Sequence, residues 1–388
     1  MYNFDTPVNR GNMASAKWDM AQAAGCPANI APLSVADMEF PAAPEVIQEV
    51  TRLAQLGLWG YTYPDEAFKQ AVIGWQQRRH SWHPETEWMV NTAGVISGLY
   101  TAIKAFTKPG AGVVVQPPVY NPFFEAVKNT GRTLVENPLK IVDGRYEMDF
   151  ENLEAVAPKA SMLILCSPHN PVGRVWRQQE LEWLASICQR HKLVLFCDEI
   201  HSDIVYAPHR HTTLGLVKNA PLNNCVVATS GSKTFSLAGL ACSSLFIPNA
   251  GLRGRFKKQA DEDGSHFNSF FGVAATRAAF EKGQPWLEEL LPYLRGNYEY
   301  LQGFIKERLP QLAVYPLEGT YLAWVDFSAL RLPPAGLGAF LKQKAQFYLS
   351  MGAMFGQGGE SFGRINLACP RAVLQEALLR LQQAIQRQ

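Results

Sequence analysis

Short apolar runs alternate with longer segments of helical periodicity through most of the chain. Four runs predict buried strands, because each is short and most are rich in β-branched residues: 112–116, 162–166, 193–197 and 225–228. Between and before them, three segments predict helices: 94–106, 122–129 and 178–191. Strands that alternate with helices in this way predict an α/β domain built on a largely parallel, doubly wound sheet.

The pattern changes near residue 285. Residues 286–309 predict a long amphipathic helix, 321–325 a strand and 374–385 a closing helix. We therefore expect residues 286–388 to form a smaller α+β domain. Residues 1–40 show little periodicity and predict an N-terminal arm that belongs to this small domain, which leaves 41–285 as the large domain.

Composition excludes several classes of protein. The 388 residues are 47% hydrophobic and 18% charged, which argues against disorder, and a net charge of +2 gives no field that would gather nucleic acid or bind a membrane surface. No apolar run approaches the roughly 20 residues that span a bilayer. The chain starts without a basic segment followed by an apolar core, and its seven cysteines include no C-x-x-C pair. These features predict a cytoplasmic protein.

The histidines give weak signals. In extended chain Glu199, His201 and Asp203 would share one face, as metal ligands do, but no second cluster supports them. We therefore expect no metal site. The sequence also predicts that four other histidines lie in exposed loops: His80, His83, His209 and His211.

Chemistry-bearing residues follow the predicted strands, where open α/β sheets bind ligands. Asn170 comes after the second strand, Asp198 at the end of the third, and Lys233 after the fourth. A further segment, 94–96, lies at a predicted helix N-terminus, where unsatisfied N–H groups favour an anion. The sequence therefore predicts one polar site at one edge of the sheet.

The segments SPHNPVG (167–173), DEIHSD (198–203) and SGSKTFSLAGL (230–240) resemble those of fold type I enzymes dependent on pyridoxal phosphate (PLP), the aspartate aminotransferase family. The order Asn–Asp–Lys, with spacings of 28 and 35 residues, carries the resemblance. A DMEF segment (37–40), GYTYP (60–64) and GRIN (363–366) are similar to those of the MalY/PatB-type cystathionine β-lyases. The resemblance implies a seven-stranded, mostly parallel sheet, a smaller α+β domain, and PLP as the cofactor.

It also implies roles for residues around the cofactor. Lys233 would form the Schiff base with PLP and act as the catalytic base, and Asp198 would keep the pyridine nitrogen protonated. Asn170 would donate to the ring's 3-oxygen, and Tyr120 would stack on the ring and share proton transfer to the leaving sulfur. The phosphate would be held by four residues: Val95, Ile96, Ser230 and Ser232.

Three further residues complete the implied site. His201 is expected to contact the cofactor. Arg364 would bind the substrate carboxylate, which suits a bidentate guanidinium, with Asn170 beside it. Tyr61 would reach the phosphate and substrate from the partner subunit, which makes a homodimer part of the site. Asp37 is expected to serve only the arm.

The implied activity is α,β-elimination from L-cystathionine or related cysteine S-conjugates, giving a thiol, pyruvate and ammonia. Two alternatives remain open: a class I/II aminotransferase, and a regulatory binding protein on the same scaffold. Many aminotransferases of the family carry an arginine eight residues after the lysine, where this chain has Ala241. That difference favours the lyase.

Overall fold

The computed structural model describes residues 2–265 and 268–388, and the strands of these residues form three sheets. In chain order the strands are β1 (Met89–Thr92), β2 (Gly112–Val115), β3 (Thr133–Glu136), β4 (Lys140–Val142), β5 (Arg145–Glu147), β6 (Ala160–Cys166), β7 (Val194–Asp198), β8 (Cys225–Thr229), β9 (Ser243–Phe246), β10 (Ala313–Val314), β11 (Leu322–Asp326), β12 (Ser350–Met351) and β13 (Phe362–Asn366). β4 and β5 form a separate hairpin.

The α-helices are α1 (Trp18–Ala23), α2 (Pro44–Leu56), α3 (Glu66–His80), α4 (Val95–Phe106), α5 (Pro122–Asn129), α6 (Phe150–Val156), α7 (Gln178–Arg190), α8 (Gly231–Thr234), α9 (Ala250–Glu262), α10 (Phe270–Lys282), α11 (Gln284–Arg308), α12 (Pro334–Ala339) and α13 (Arg371–Gln386). Local chemistry sets several of their starts: α5 begins with proline, and Asp65 caps α3 by accepting from the Phe68 N–H at 2.8 Å. None of the helices in the described residues is long and apolar enough to cross a membrane.

Seven strands form the large sheet, in the order β1-β9-β8-β7-β6-β2-β3. Neighbouring pairs from β8 through β3 are parallel, and β9 runs antiparallel to both of its neighbours. Helices cover both faces, with two large apolar cores. The predicted α/β class and largely parallel sheet are therefore confirmed. The strands β1, β3 and β9 are not predicted because each is four residues long and mixes polar with apolar side chains.

Strand register aligns the ends of the central strands. Cys166, the last residue of β6, pairs with Asp198, the last residue of β7, and Asp198 pairs with Ala228 near the end of β8. Segments that leave these strands therefore start from one row at one edge of the sheet. This register is what brings distant parts of the sequence to a single site.

The C-terminal part has its own antiparallel sheet, ordered β10-β11-β13-β12, with α11 and α13 beside each other. The N-terminal arm joins this sheet: Leu33 bridges to Leu349, and the Leu33 carbonyl accepts from the Asn366 N–H at 2.9 Å. The smaller α+β unit is thus present. The domain boundaries at 40/41 and 285/286 stay a prediction, and the second falls in the first turn of α11.

Candidate active site

Five segments deliver the predicted site residues to the carboxyl edge of the sheet. Tyr120 follows β2, Asn170 follows β6, Asp198 ends β7, Lys233 follows β8 and Val95 follows β1. The parallel strands end at this edge, as does β1, whose Thr92 pairs with the first residue of antiparallel β9. The structure therefore brings together residues that lie up to 138 positions apart (95 to 233) in the sequence.

Lys233 lies in α8, a helix of only four residues. Ser230 caps this helix, since its Oγ accepts from the Ser232 N–H at 3.1 Å and donates to the Cys242 carbonyl at 2.8 Å. The Lys233 Nζ donates to the Ala36 carbonyl at 2.8 Å. Burial, helped by the positive charge of Arg364, lowers the pKa of Lys233 to about 8. About a tenth of this amine is therefore unprotonated at pH 7, far more than for an ordinary lysine.

Asp198 is buried at the end of β7, with 4% of its surface exposed. Its Oδ1 accepts from the Ile200 N–H at 3.0 Å. Burial raises the pKa of Asp198 to about 7, although this hydrogen bond and the charge of Lys233 act to lower it. A carboxyl in this state is suited to share a proton with a ring nitrogen.

Arg364 is buried in β13 and faces the large domain. Its Nη1 donates to Asn170 Oδ1 at 2.9 Å, and its Nη2 donates to the Ser34 carbonyl and to Ser350 Oγ, both at 3.1 Å. All three acceptors are neutral, so within the described residues no carboxylate balances this charge. Burial lowers the pKa of Arg364 to about 10, which leaves it a cation. It is therefore a buried binding group for a small anion.

Two rings border the space between these charges. Tyr120 is half-buried, and burial raises its pKa, against the opposing charge of Arg364. His201 is 3% exposed, and its Nδ1 is buried without a hydrogen-bond partner. Burial lowers the pKa of His201 to about 3, and the charges of Lys233 and Arg364 act in the same direction. His201 is therefore neutral.

The N-terminus of α4 supplies backbone donors. Gly94 caps the helix without a side-chain hydrogen bond, so the first N–H groups of the helix, including those of Val95 and Ile96, lack that partner. The Thr92 hydroxyl donates to the Gly94 carbonyl at 2.9 Å and holds the turn that starts the helix. This helix end therefore offers the kind of backbone donors that bind a phosphate, and the contribution of the Ser232 hydroxyl to such a site stays a prediction.

Tyr61 is the exception among the predicted residues. It lies between α2 and α3 with 94% of its surface exposed, whereas Asn170, Asp198 and Arg364 are buried. A single chain therefore presents Tyr61 at the surface rather than in the cluster.

Sequence reasoning missed the arm segment 34–37 as part of the site. The Ala36 carbonyl accepts from Lys233 and also from the Tyr321 hydroxyl, at 2.9 Å. The charge of Asp37 raises the pKa of Lys233 against the effect of burial. The Asp37 carboxylate itself pairs with Arg10 at 3.1 Å and Lys17 at 3.5 Å within the arm, so it acts on Lys233 through charge rather than contact. The DMEF segment was the available signal, but backbone carbonyls carry no signature in a sequence.

The prediction that four histidines lie in exposed loops is wrong for two of them. His80 is the last residue of α3, and its side chain is 5% exposed and lies 2.9 Å from Asp203 Oδ1. The His211 side chain is 2% exposed and lies 3.1 Å from Glu199 Oε2. Each ring is paired with a buried carboxylate: Asp203 lies more than 100 positions from His80, and Glu199 lies 12 positions from His211. Periodicity in the sequence cannot reveal such pairs.

The residues at this edge fit the predicted PLP. An aldehyde requires an amine such as that of Lys233, a pyridine nitrogen requires a carboxyl such as Asp198, and a phosphate requires donors such as the first N–H groups of α4. The Ser230 hydroxyl, predicted to bind the phosphate, donates to the Cys242 carbonyl instead. The unpartnered Nδ1 of buried His201 is a further polar atom without a protein partner. The individual contacts to the cofactor stay predictions.

Comparison with known proteins identifies the family. The model of the family described as aminotransferase class I and II matches residues 28–381. The chain belongs to this family. It is 38% identical over 385 residues to cystathionine beta-lyase PatB of Bacillus subtilis (strain 168), covering 99% of this chain and 100% of that protein. It is 30% identical over 390 residues to protein MalY of Escherichia coli (strain K12), covering 99% of each.

Solved structures agree with this aminotransferase-family assignment. Cystalysin from Treponema denticola, a structure containing pyridoxal 5'-phosphate, superposes with a TM-score of 0.97 at 37% identity, covering 100% of this chain and 99% of that one. A PLP-bound putative aminotransferase from Clostridium difficile 630 gives a TM-score of 0.96 at 38% identity, covering 99% of this chain and 100% of that one. The resemblance to fold type I enzymes of the MalY/PatB type is confirmed.

Proposed function

We propose that this protein is a PLP-dependent carbon–sulfur β-lyase that cleaves L-cystathionine or related cysteine S-conjugates. With cystathionine and water the products are homocysteine, pyruvate and ammonia. The observation that carries the proposal is one buried cluster that contains an amine of lowered pKa, a carboxyl of raised pKa and a guanidinium whose hydrogen-bond acceptors are all neutral. Relatives named cystathionine beta-lyase, which cover 99% and 92% of this chain, confirm the predicted carbon–sulfur lyase class.

PLP is the cofactor of this family, and its contacts here are proposed from the donors already described. When bound, the protonated PLP ring withdraws electrons from the substrate Cα, which lets the Cα proton and the Cβ thiolate leave. Asp198 would hold the proton on the ring nitrogen, and Asn170 would donate to the ring oxygen through Nδ2, because its Oδ1 accepts from Arg364. His201 would contact the ring, and Tyr120 would stack on it.

The chain's own proton carrier is Lys233. Because the pKa of this amine is about 8, it can take the Cα proton and return a proton to the leaving sulfur at neutral pH. Tyr120 is half-buried and its pKa is raised, so it stays protonated and can share the donation to sulfur. Lys233 therefore acts as base and then as acid within one turnover.

Product analysis tests the proposal. PLP-loaded protein with L-cystathionine and no keto-acid acceptor is expected to release pyruvate and a free thiol over many turnovers. Conversion of the bound cofactor to pyridoxamine phosphate after one turnover, without pyruvate, would instead establish an aminotransferase. If PLP binds and neither product forms, other cysteine S-conjugates replace cystathionine; if PLP does not bind, the catalytic proposal fails.

Replacing Arg364 with lysine is expected to lower kcat/KM by about 10²-fold or more, mainly through a higher KM. Lysine keeps the charge but cannot make two parallel hydrogen bonds to a carboxylate. Steady-state kinetics with L-cystathionine measure the effect. Arg308→Lys, at the exposed end of α11, is the matched control and should match the wild type. An unchanged KM in Arg364→Lys would exclude carboxylate binding there.

We further propose that the protein acts as a homodimer in which Tyr61 enters the partner's site. Support comes from the exposed apolar side chains around it: Leu56, Leu58, Trp59 and Tyr63. Clustered exposed apolar residues of this kind mark protein interfaces.

All seven cysteines are buried and free, which fits the reducing cytoplasm as the proposed location.

Mixing two inactive variants tests the shared site. Tyr61→Phe and Lys233→Ala are each expected to be impaired as homodimers. After exchange of subunits, the mixed dimer has one complete site if Tyr61 acts across the interface, so about a quarter of wild-type activity should return. Differently tagged chains verify that mixed dimers form. Mixed dimers without recovered activity would exclude a shared site.

A further inference from the structure

Two buried carboxylates lie directly behind the site and take no part in the proposed chemistry. Glu199 follows Asp198 in the chain and is 1% exposed, and Asp203 is 5% exposed. Burying a carboxylate is costly unless hydrogen bonds and charges compensate. Each of these groups is well supplied with partners, and those of Asp203 lead to Lys233.

Asp203 is held at both oxygens. The indole N–H of Trp75 donates to Oδ1 at 3.2 Å and to Oδ2 at 3.0 Å, and His80 Nε2 lies 2.9 Å from Oδ1. The Thr234 hydroxyl donates to Oδ2 at 2.7 Å. Although burial acts to raise it, the hydrogen bond and charge of His80 hold the pKa of Asp203 below its ordinary value. The group is therefore an ionised, fixed acceptor.

Thr234 is the residue after Lys233 and is fully buried. Both belong to α8, and a helix of four residues has too few internal hydrogen bonds to hold itself. At its start, Ser230 ties α8 to the Cys242 carbonyl. At its end, the Thr234 hydroxyl ties it to Asp203. The direction from which Lys233 enters the pocket therefore depends on this second tie.

A second buried carboxylate with a hydroxyl donor and a histidine partner lies next to Asp198 in the chain. This residue, Glu199, accepts from the Thr213 hydroxyl and the Leu214 N–H, each at 2.7 Å, and lies 3.1 Å from His211. The rings of His80 and His211 meet edge to face, with centroids 5.3 Å apart. The residues that follow Lys233 and Asp198 in the chain, Thr234 and Glu199, are thus both held by buried hydrogen bonds, and the histidines of the two networks are in contact.

We propose that Asp203 is a positioning residue for Lys233, acting through the Thr234 hydroxyl, with Trp75 and His80 fixing its carboxylate. The proposal rests on the proposed function for the role of Lys233 in turnover. The placement of the Lys233 amine, by contrast, is a property of the protein without cofactor, and this part of the proposal holds whatever the protein catalyses. This difference allows the two to be tested separately.

The test compares Thr234→Val with Thr234→Ser. Valine keeps the shape and removes the hydroxyl, and serine keeps the hydroxyl. In PLP-loaded protein, Thr234→Val is expected to lower kcat for L-cystathionine about 10- to 100-fold, as misplaced catalytic groups do, with little change in KM, because Arg364 lies on another element. Thr234→Ser should restore most of kcat.

A second readout uses the protein without cofactor. Acylation of Lys233 by acetic anhydride, followed across pH by peptide mass spectrometry, reports the pKa of this amine, with exposed Lys258 as the internal reference. In Thr234→Val the midpoint should rise from about 8 toward the ordinary lysine value, since a displaced amine is better hydrated. Thr234→Ser should match the wild type.

The outcomes separate the two proposals. A folded Thr234→Val protein with wild-type kcat and an unchanged acylation profile would overturn the positioning role. If the wild type does not turn over cystathionine but Thr234→Val still shifts the Lys233 midpoint, the positioning role stands and the proposed function fails. Should Thr234→Val not fold, Asp203→Asn and Trp75→Phe are judged by the same two measurements.

Discussion

Lys233→Ala is expected to lower kcat/KM for L-cystathionine by about 10⁴-fold or more, because it removes the group proposed both to bind the cofactor aldehyde and to carry the Cα proton. Among the described residues it is the Lys233 Nζ that donates to the Ala36 carbonyl at this edge of the sheet. Pyruvate release under saturating PLP measures the loss.

Lys258→Ala is the matched control for this variant. Lys258 is 80% exposed and forms only an i,i+4 ion pair with Glu262, so its removal should leave turnover and the thermal midpoint nearly unchanged. Thermal unfolding of Lys233→Ala without cofactor should show that its fold is intact. Retention of more than about a tenth of wild-type turnover by folded Lys233→Ala would contradict its assigned role.

Asp198→Asn is expected to lower kcat by about 10²- to 10³-fold, which is the usual effect of removing a preorganised charge from an active site. Asparagine keeps the size of the side chain, and its Oδ1 can still accept from the Ile200 N–H, as that of Asp198 does at 3.0 Å. What is lost is the negative charge that is proposed to hold a proton on the ring nitrogen. Affinity for PLP should fall as well.

Two measurements check this prediction: steady-state kinetics, and PLP binding followed by absorbance. Asp143→Asn serves as the control, because Asp143 lies in the exposed turn of the β4–β5 hairpin with φ near +49°, a conformation that asparagine tolerates. Wild-type kcat in Asp198→Asn would show that ring protonation does not depend on this carboxyl.

Much of the fold follows from local pattern. The four apolar runs become the central strands, and the helix predicted over 122–129 is α5 with the same bounds. These elements are predictable because their buried faces leave a periodic signal in adjacent residues. The edge strands β1 and β3 and the antiparallel β9 are missed, since four residues of mixed polarity become a strand only when a neighbouring strand supplies the hydrogen bonds.

Some of the site could be predicted from the sequence and some could not. Lys233, Asp198, Asn170 and Arg364 lie in segments whose order and spacing resemble a known family, and the structure places all four side by side. The use of the Ala36 carbonyl by Lys233 was not predictable, because any residue type carries the same carbonyl. Nor were the partners of Asp203, two of which, Trp75 and His80, precede it by more than 120 positions.

The sequence by itself therefore determined the class of fold, the family and the candidates for the residues that carry the chemistry, since each depends on local periodicity or on side-chain identity at fixed spacing. Tertiary structure alone decided which backbone groups face those side chains, which charges are buried, and hence that the pKa of Lys233 falls to about 8 while that of Asp198 rises to about 7. The reason is physical: burial and through-space charge depend on distances in three dimensions, and those are set by packing.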